Sequence, residues 1–289
     1  MEERRWLPEV IVQLMDRVEA RLDEAWTLDG MADEARFSSF HFHRMFRRAV
    51  GETPAAFLER IRLERAALLL LAREEPITDL ALDVGFRRPE TFARRFRAHF
   101  GVSARDYRSR QLALWADLGL EAGRDPLGAP GEIQVVELPE ALVEVRRSLG
   151  EDEGFVLDAN RPPWRDEPLL AGRLFGSTLD WPGLTPPGSV RQDWARPLDE
   201  RPVAEGWVRR RLGGGLHATL AAPPPGPVDP TVYQRLFVWS MAGRHRLRPG
   251  PVVEIRDGDS LTVHQPVADV FAGSESGSDR SSHADTSRS

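Results

Sequence analysis

One pattern occurs twice in this sequence and restricts the fold more than any other feature. Residues 77–110 contain an apolar segment, the pair Gly85-Phe86 and a Phe-x-Arg-x-Phe motif, in that order. Residues 31–60 repeat this arrangement, with Arg36 at the position of the glycine. Phenylalanines four residues apart share one face of a helix. Each copy therefore predicts a short helix, a tight turn and a second, amphipathic helix.

The outward faces of the two amphipathic helices carry residues suited to a helix-turn-helix reader of DNA. In the later copy, Glu90, Arg94 and Arg97 project away from the phenylalanines. In the earlier copy, Arg44 and Arg47 do so. Arginine bonds a guanine edge or clamps a phosphate, and glutamate accepts from a cytosine amino group. Charge pattern alone is equally typical of a solvated surface helix, and the presence of two copies favours the DNA-reading interpretation.

Phe40 also lies outward in the earlier copy. An exposed aromatic ring is costly unless it meets something apolar, such as a thymine methyl group, and the alternative is that Phe40 packs against a neighbouring helix. His41 and His43 are two residues apart and cannot share a helix face, so a metal pair is not expected. A phosphate or base contact suits His43 better.

A long helix is predicted between the two copies. Thr53 can cap it with Pro54 at its first position, and the helical pattern continues to about Glu75. Roughly twenty residues span about 30 Å, close to the repeat of about 34 Å in B-DNA, so both readers can face successive major-groove segments. Residues 5–26 form another predicted amphipathic helix. It packs under the first reader or, alternatively, dimerises as a short coiled coil.

Length and charge divide the chain into two parts. At 289 residues the chain exceeds the usual size of one core, so two domains are expected. Residues 36–110 hold 16 Arg and 9 acidic residues, whereas residues 113–289 hold 19 Arg and 26 acidic residues. A basic part joined to an acidic part is typical of nucleic-acid binding by one part only.

Several classes of site are excluded or not expected. Cysteine is absent, which excludes disulfides, thiolate metal sites and a cysteine nucleophile. No apolar run approaches the roughly twenty residues that span a bilayer, and the start MEERRWLPE does not resemble a signal peptide. We therefore expect a cytoplasmic protein without a membrane partner. Since no nucleophile–His–acid set or metal cluster stands out, we expect no catalytic residues, no metal and no cofactor.

Domain boundaries follow from changes in periodicity and composition. Residues 1–112 predict an all-α domain with two helix-turn-helix units. Residues 113–130 are rich in Gly, Pro and acidic side chains and predict a linker. Short alternating strands in residues 131–271 predict an α+β domain with an antiparallel sheet. Residues 272–289 have too little apolar surface to fold and predict a disordered tail.

The strands of the α+β domain are expected to form hairpins. Residues 133–150 predict one hairpin, residues 169–195 a second pair, and residues 203–223 a third hairpin around three consecutive glycines. A helix is predicted at residues 229–243, followed by two more strands.

Residues 5–110 resemble the DNA-binding domain of AraC/XylS-type transcription regulators. The family pattern is met by Gly85-Phe86, the motif at residues 92–96, Gly101 and Tyr107-Arg108. The resemblance implies seven helices, two helix-turn-helix units, double-stranded promoter DNA as a partner and RNA polymerase as a further one. It also implies the base contacts, which are Phe40, His43 and Arg44 in the first unit and Glu90, Thr91, Ala93 and Arg94 in the second. Arg47, Arg48 and Arg97 lie on the same helices and complete the candidate DNA-binding set.

Residues 131–265 resemble the GyrI-like effector-binding domain, through ELPEALVEVRRSLG, FGSTLDWPGLTPPGSVRQD, GGLHATLAAPPPG and PVVEIRD. That resemblance implies two βαββ-like repeats with a pocket between them for a small cationic or lipophilic molecule. Glu254 falls where the family places its pocket carboxylate, and it points to the strand face that Val252 shares. Candidate aromatic partners are Trp239, Tyr233, Phe237, Trp181 and Trp194. The alternative is a solvated strand glutamate beside ordinary core aromatics.

These observations together predict a bacterial, sequence-specific DNA-binding transcription regulator whose C-terminal domain senses a small molecule. Two alternatives stay open for that domain. It can be a small-molecule hydrolase in which Glu254, with Tyr233, activates water as a general base. It can also be a module that docks a protein partner through its acidic face.

Overall fold

The computed structural model describes residues 5–117, 132–150, 173–180, 184–198, 203, 205–222, 230–241, 245–248, 250–257 and 260–269. Residues 5–117 contain seven α-helices, as expected. They are α1 (Glu9–Ala20), α2 (Leu28–Glu34), α3 (Ser39–Val50), α4 (Pro54–Ala72), α5 (Ile77–Asp83), α6 (Pro89–Phe100) and α7 (Ala104–Asp117). No helix in the described part of the chain is long and apolar enough to cross a bilayer.

Local sequence explains where several of these helices begin. Thr27, Ser38 and Thr53 stand before α2, α3 and α4, and each side-chain oxygen accepts a bond from a first-turn N–H. Pro54 and Pro89 occupy first helical positions, where no amide donor is required. The predicted start of α4 at Thr53-Pro54 and of α6 near Pro89 are therefore confirmed.

The predicted helix over residues 5–26 is shorter than expected. Only Glu9–Ala20 is helical, and Arg5–Trp6 form strand β1, which pairs with the C-terminal sheet opposite Ser148 and Leu149. Pro8 explains the boundary, because a residue that precedes proline disfavours the helical region and adopts extended backbone instead. The N-terminal part of the chain is thus not entirely α-helical.

Each helix-turn-helix unit has its own aromatic core. In the first unit, the rings of Phe42 and Phe46 on α3 lie 5.6 Å apart, and Phe46 lies 5.6 Å from Phe57 on α4. In the second unit, Phe92 and Phe96 on α6 lie 5.4 Å apart. The first half of α4 packs in the core of the first unit and its second half in that of the second unit.

The turns of the two units differ at one position. Gly85 in the second unit has φ 89°, and a Cβ added there would lie 2.3 Å from the carbonyl oxygen of Leu22. Arg36 in the first unit has φ 60°, so it accepts the same left-handed backbone with a side chain in place. Close packing therefore requires a glycine at position 85, whereas the turn at position 36 favours glycine but also accepts a residue with a side chain.

The C-terminal region forms an antiparallel sheet, in agreement with the expected fold. Its described strands are β2 (Gln134–Glu137), β3 (Ala141–Leu149), β4 (Arg173–Thr178), β5 (Arg191–Pro197), β6 (Val208–Leu212), β7 (Leu216–Ala222), β8 (His245–Leu247), β9 (Val252–Asp257) and β10 (Ser260–Asp269), and helix α8 is Pro230–Met241. Their order is β1-β3-β5-β4-β9-β10-β7-β2, with β6 beside β3 and β8 beside β10. The predicted pair within residues 169–195 corresponds to β4 and β5.

Two predicted hairpins are wrong. Strand β2 pairs with β7 and β3 pairs with β6, so residues 133–150 and 203–223 run alongside each other and do not fold back on themselves. Gly213, Gly214 and Gly215 all have φ near 80° and lie beside Leu138, whose carbonyl accepts from the Gly214 N–H at 2.9 Å. The three glycines therefore bend a two-stranded ribbon where the sequence pattern indicated a hairpin turn.

The sheet lies between two helical layers. One face carries Val143, Val145 and Val253, which join the core of α1 and the first helix-turn-helix unit. The opposite face carries Leu220 and Val263, which pack against α8. The segment 151–172, the 118–130 part of the predicted linker and the tail 272–289 lie outside the described residues, so the two-repeat arrangement stays a prediction.

A buried ion-pair cluster joins the sheet to α1. Arg147 on β3 has no exposed side-chain surface, and its guanidinium donates to Asp193 on β5 at 2.7 and 2.9 Å. The same guanidinium lies 2.9 Å from Asp16 on α1. Arg210 on β6 contacts both Asp16 and, at 2.8 Å, Asp193. Burial raises the pKa of Asp193, but Arg147 and Arg210 outweigh it and hold that pKa below its ordinary value.

A second buried cluster joins the sheet to α4. The Thr185 hydroxyl donates to Glu64 on α4 at 2.9 Å, and Glu64 also accepts from Arg60 at 3.2 Å. Nearby, the amide of Arg191 donates to Asp180 at 2.6 Å. Burial raises the pKa of the Glu64 carboxyl to about 7, although the charge of Arg60 opposes this.

We expect Gly85→Ala to destabilise the fold by about 2 kcal/mol or more, because the added methyl group meets the Leu22 carbonyl in a left-handed backbone. The matched change Arg36→Ala should alter stability by no more than about 0.5 kcal/mol, because Arg36 is exposed and already carries a Cβ. Urea denaturation of both variants measures the difference. Equal losses would contradict the assignment of different roles to the two turns.

We expect Glu64→Gln to flatten the pH dependence of stability. The folded-state pKa of about 7 lies above the ordinary 4.5, so the stabilisation from Glu64 is fully present below pH 4.5 and is lost as pH rises through 7. The loss is roughly 1–3 kcal/mol in the parent and absent in the variant. Urea midpoints from pH 5 to 8 test this, with Glu59→Gln on the same helix as control. An unchanged slope in Glu64→Gln would contradict the prediction.

Candidate nucleic-acid interface

The outer face of α3 presents its candidate residues to solvent. Phe42 and Phe46 are buried beneath it, whereas Arg44, Arg47 and Arg48 are exposed. The helix therefore has the inward and outward faces that its sequence predicted.

Phe40 lies at the start of the same exposed face. Its side chain is 73% exposed, and the guanidinium of Arg44 lies 5.6 Å from the ring centroid. The ring does not pack into the core, so the alternative of an ordinary packing contact for Phe40 does not hold. Burial of such a ring against the thymine methyl groups of a major groove would be favourable.

Helix α6 presents a matching face in the second unit. Glu90, Ala93, Arg94 and Arg97 are exposed, and Thr91 is half-buried. Phe92 and Phe96 anchor the inner face. The two helices therefore expose arginine at equivalent positions, Arg44 in α3 and Arg94 in α6. Each arginine lies midway between two buried phenylalanines that are four residues apart.

The exposed arginines of the two faces are electrostatically available. Within the described part of the chain, no carboxylate lies within ion-pair distance of Arg44, Arg47, Arg48, Arg94 or Arg97. The neighbouring Arg95 differs, because its Nε lies 3.3 Å from Glu59 on α4. An unpaired guanidinium on a helix face is free to bind phosphate or a base edge.

Helix α4 sets the distance between the two faces. Its 19 residues give a length of about 28 Å, shorter than the sequence suggested and still near one turn of B-DNA.

A cleft of about 420 Å³ lies between the two units, and its walls include Trp26, Met31, Leu58 and Phe86. His43 is half-buried and lines this cleft, so it faces the space between the readers more than the outer face. No sequence pattern indicated the cleft.

Comparison with known proteins agrees with the geometry. A family described as "Helix-turn-helix domain" matches residues 31–110. Regulatory protein SoxS of Salmonella typhimurium is 32% identical over 102 residues, which cover 35% of this chain and 95% of SoxS. The chain belongs to the AraC/XylS-type helix-turn-helix transcription regulators.

Two further similarities are more limited in extent. Transcriptional regulator Rob of Salmonella typhimurium is 31% identical over 146 residues, which cover 50% of this chain and 48% of Rob. A crystal structure of an AraC-type transcriptional regulator from Chromobacterium violaceum is 25% identical, covers 35% of this chain and 91% of its own, and has a TM-score of 0.34. The family match ends at residue 110, so the C-terminal sheet lies outside it.

In this AraC/XylS-type regulator, Glu254 lies beneath α8. It is 2% exposed, and its carboxyl accepts from the Tyr233 hydroxyl at 2.5 Å. Val252 on the same strand face packs with the α8 cluster, as the strand alternation predicted. Glu254 is therefore not a solvated strand glutamate.

Trp194 lies on the same sheet face as Glu254. Gly176 of β4 is directly opposite Trp194 on one side and Glu254 on the other, so the two residues are about 10 Å apart across a strand position without a side chain. The Trp194 indole donates to Ser148 on β3 at 3.0 Å, which turns the ring away from Glu254.

The other candidate aromatics are placed differently. Phe237 is buried one helical turn after Tyr233 on α8. Trp239 is six residues after Tyr233, about 120° around the helix, and stacks on His245 with ring centroids 5.8 Å apart. Trp181 lies outside the described residues. The structure thus brings Tyr233 and Glu254 into contact and places Trp194 two strands away on the same sheet face, whereas Trp239 faces another side of α8.

Proposed function

We propose that this regulator reads double-stranded promoter DNA through α3 and α6 in neighbouring segments of the major groove. The proposed contacts are Phe40, His43, Arg44, Arg47 and Arg48 in the first unit and Glu90, Thr91, Ala93, Arg94 and Arg97 in the second. The observation that carries the proposal is the set of exposed arginines at both ends of α4, for which no carboxylate of the described residues is a partner. RNA polymerase, as a further partner, would contact surfaces that DNA leaves free.

Within these faces, the residues divide into two roles. Arg44 and Arg94 lie at equivalent, central positions and suit bidentate bonds to guanine. Arg47, Arg48 and Arg97 lie toward the ends of α3 and α6, where they suit phosphate contacts. Phe40 adds an apolar surface, which contributes to affinity without adding salt dependence.

We expect Arg44→Ala and Arg94→Ala each to weaken binding roughly tenfold to a hundredfold and to relax base preference, because each removes a bidentate contact. The target is an operator selected from random duplex DNA by the parent, and mobility shifts give the affinities. Arg95→Ala is the matched control on α6, since Arg95 pairs with Glu59, and it should lose less than about threefold.

The salt dependence of the same variants separates the two roles. Arg47→Ala should reduce the slope of log affinity against log salt by about 1, with its loss uniform across sequences. If Arg44→Ala and Arg94→Ala bound the operator as tightly and selectively as the parent, the assignment of the readers would be wrong.

We also propose that the C-terminal sheet is a GyrI-like effector-binding domain for a small lipophilic cation. The buried Glu254 carboxyl, the Tyr233 hydroxyl bonded to it and the position of Trp194 on the same sheet face support this proposal. A carboxylate in an apolar, aromatic setting suits a cation whose charge is spread over a large surface.

We expect tetraphenylphosphonium to bind the full-length protein and to bind Glu254→Gln at least about tenfold more weakly, because the variant lacks the opposite charge. Isothermal titration calorimetry measures both affinities, and Trp239→Leu serves as the control on the other side of α8. Binding of neutral triphenylphosphine oxide with equal affinity would contradict the role of Glu254. Chemical turnover of a bound ligand, lost in Glu254→Gln, would favour the hydrolase alternative over sensing.

A further inference from the structure

The connection between β4 and β5 contacts both DNA-reading units. Its described part is Asp180 with residues 184–190, named here the β4–β5 connection. Leu184 packs against the core of the second unit. Thr185 donates to Glu64 at 2.9 Å, and Asp180 holds Arg191, whose guanidinium lies 5.6 Å from the ring of Phe57 in the first unit.

We propose that the β4–β5 connection positions the second reading unit relative to the first and thereby sets the operator spacing that the protein accepts. This inference rests on the proposed reading of DNA by α3 and α6. It assigns Leu184 and Thr185 as positioning residues, which act on DNA binding through the units they contact.

The first unit is fixed to the C-terminal sheet. Its core is continuous with that of the sheet, since Phe42, Phe46 and Phe57 belong to the same buried cluster as Val143 and Val145. The ion pairs of Arg147 with Asp16 and of Arg191 with Glu19 tie α1 to β3 and β5 at 2.9 and 2.5 Å. The sheet and the first unit are therefore packed together as one body, and the position of the second unit is described relative to it.

The second unit is held less extensively. Its core is a separate cluster that contains the second half of α4 and residues of α5, α6 and α7, with Leu184 packed against it. On the cleft side, its turn packs against the Leu22 carbonyl at Gly85, and Phe86 lines the cleft of about 420 Å³. The ion pair Glu59–Arg95 links α4 to α6, but both side chains are more than a third exposed, and such pairs contribute little. Leu184 contacts the second unit itself, and Thr185 contacts Glu64 in the middle of α4, so the sheet limits rotation of the second unit directly and through α4.

The described part of the β4–β5 connection is anchored at both ends. Asp180 is buried and accepts from the Arg191 amide and guanidinium. Residues Pro187–Ser189 form a 3₁₀ turn, in which the Ser189 amide donates to Pro186 at 2.8 Å. Val190, at the end of the connection, belongs to the core under α8. Both ends of the connection are therefore anchored in the sheet.

Operator spacing is the measurable consequence. One inserted base pair moves a half-site by about 3.4 Å along the duplex and rotates it by about 34°. A second unit held by the sheet cannot follow this movement, whereas a unit held by α4 alone can bend or twist to follow it. Loss of the positioning contacts should therefore relax spacing preference more than it reduces affinity.

The experiment compares operators with the selected spacing and with one inserted or deleted base pair between the two half-sites. We expect the parent to lose at least about tenfold in affinity on the altered operators, equivalent to about 1.4 kcal/mol. Full-length Leu184→Ala should lose less than about threefold on the same change. Thr185→Val, which keeps the side-chain shape and removes the hydroxyl, should show the same relaxation to a smaller degree.

The control is Leu142→Ala, which removes an exposed leucine of β3 that belongs to neither unit's core cluster, and it should keep the parental spacing penalty. A parental penalty in both Leu184→Ala and Thr185→Val would overturn the proposal, as would a parent without any spacing penalty. Should Leu184→Ala unfold, Thr185→Val carries the test. Failure of the DNA-reading proposal is separate, because it appears as unchanged binding by Arg44→Ala and Arg94→Ala on the selected operator.

Discussion

The buried guanidinium of Arg147 contacts Asp193 within the sheet and Asp16 on α1, so one charge connects the two halves of the chain. A charge without solvent access is tolerated only when it is paired and hydrogen-bonded. Removal of α1 from the sheet would take Asp16 away from Arg147 and Arg210, and the fully buried Arg147 would lose one of its two carboxylate partners. Separation of α1 from the sheet would therefore cost free energy, because the buried Arg147 guanidinium would lose its contact with Asp16.

This constraint gives the molecule an asymmetric organisation. The first reading unit shares a hydrophobic core with the sheet, and β1 adds the N-terminal segment to the sheet edge. The second unit keeps its own core and meets the rest of the chain through α4, through Leu184 and where Gly85 packs against the Leu22 carbonyl. A change in the sheet can thus reach the first unit directly, and it reaches the second unit through the residues that pack along α4. If the sheet binds an effector as proposed, such a connection would couple that binding to DNA binding.

Sequence patterns predicted the helical part of the chain well, because the residues that define a helix lie close to one another in the sequence. Phenylalanines spaced by four residues, caps such as Thr53 and prolines such as Pro54 act within one or two helical turns. The sheet was predicted less well. Three glycines at 213–215 indicate a hairpin turn by composition, yet they bend a ribbon whose partner strand lies about 75 residues earlier in sequence. Strand pairing depends on long-range contacts that no local pattern encodes.

The sequence by itself determined that two arginine-bearing helices of one type would stand at the ends of a connecting helix. Their outward faces follow from helical periodicity, which places Arg44 and Arg94 opposite the buried phenylalanines. Only the tertiary structure decided which charges are available. Among the described residues Arg94 has no carboxylate partner and Arg95 has one, and Arg147 and Arg191 are buried although strand arginines usually lie in solvent. The reason is that ion pairing depends on which distant carboxylates folding brings within a few ångströms, and sequence spacing does not define that proximity.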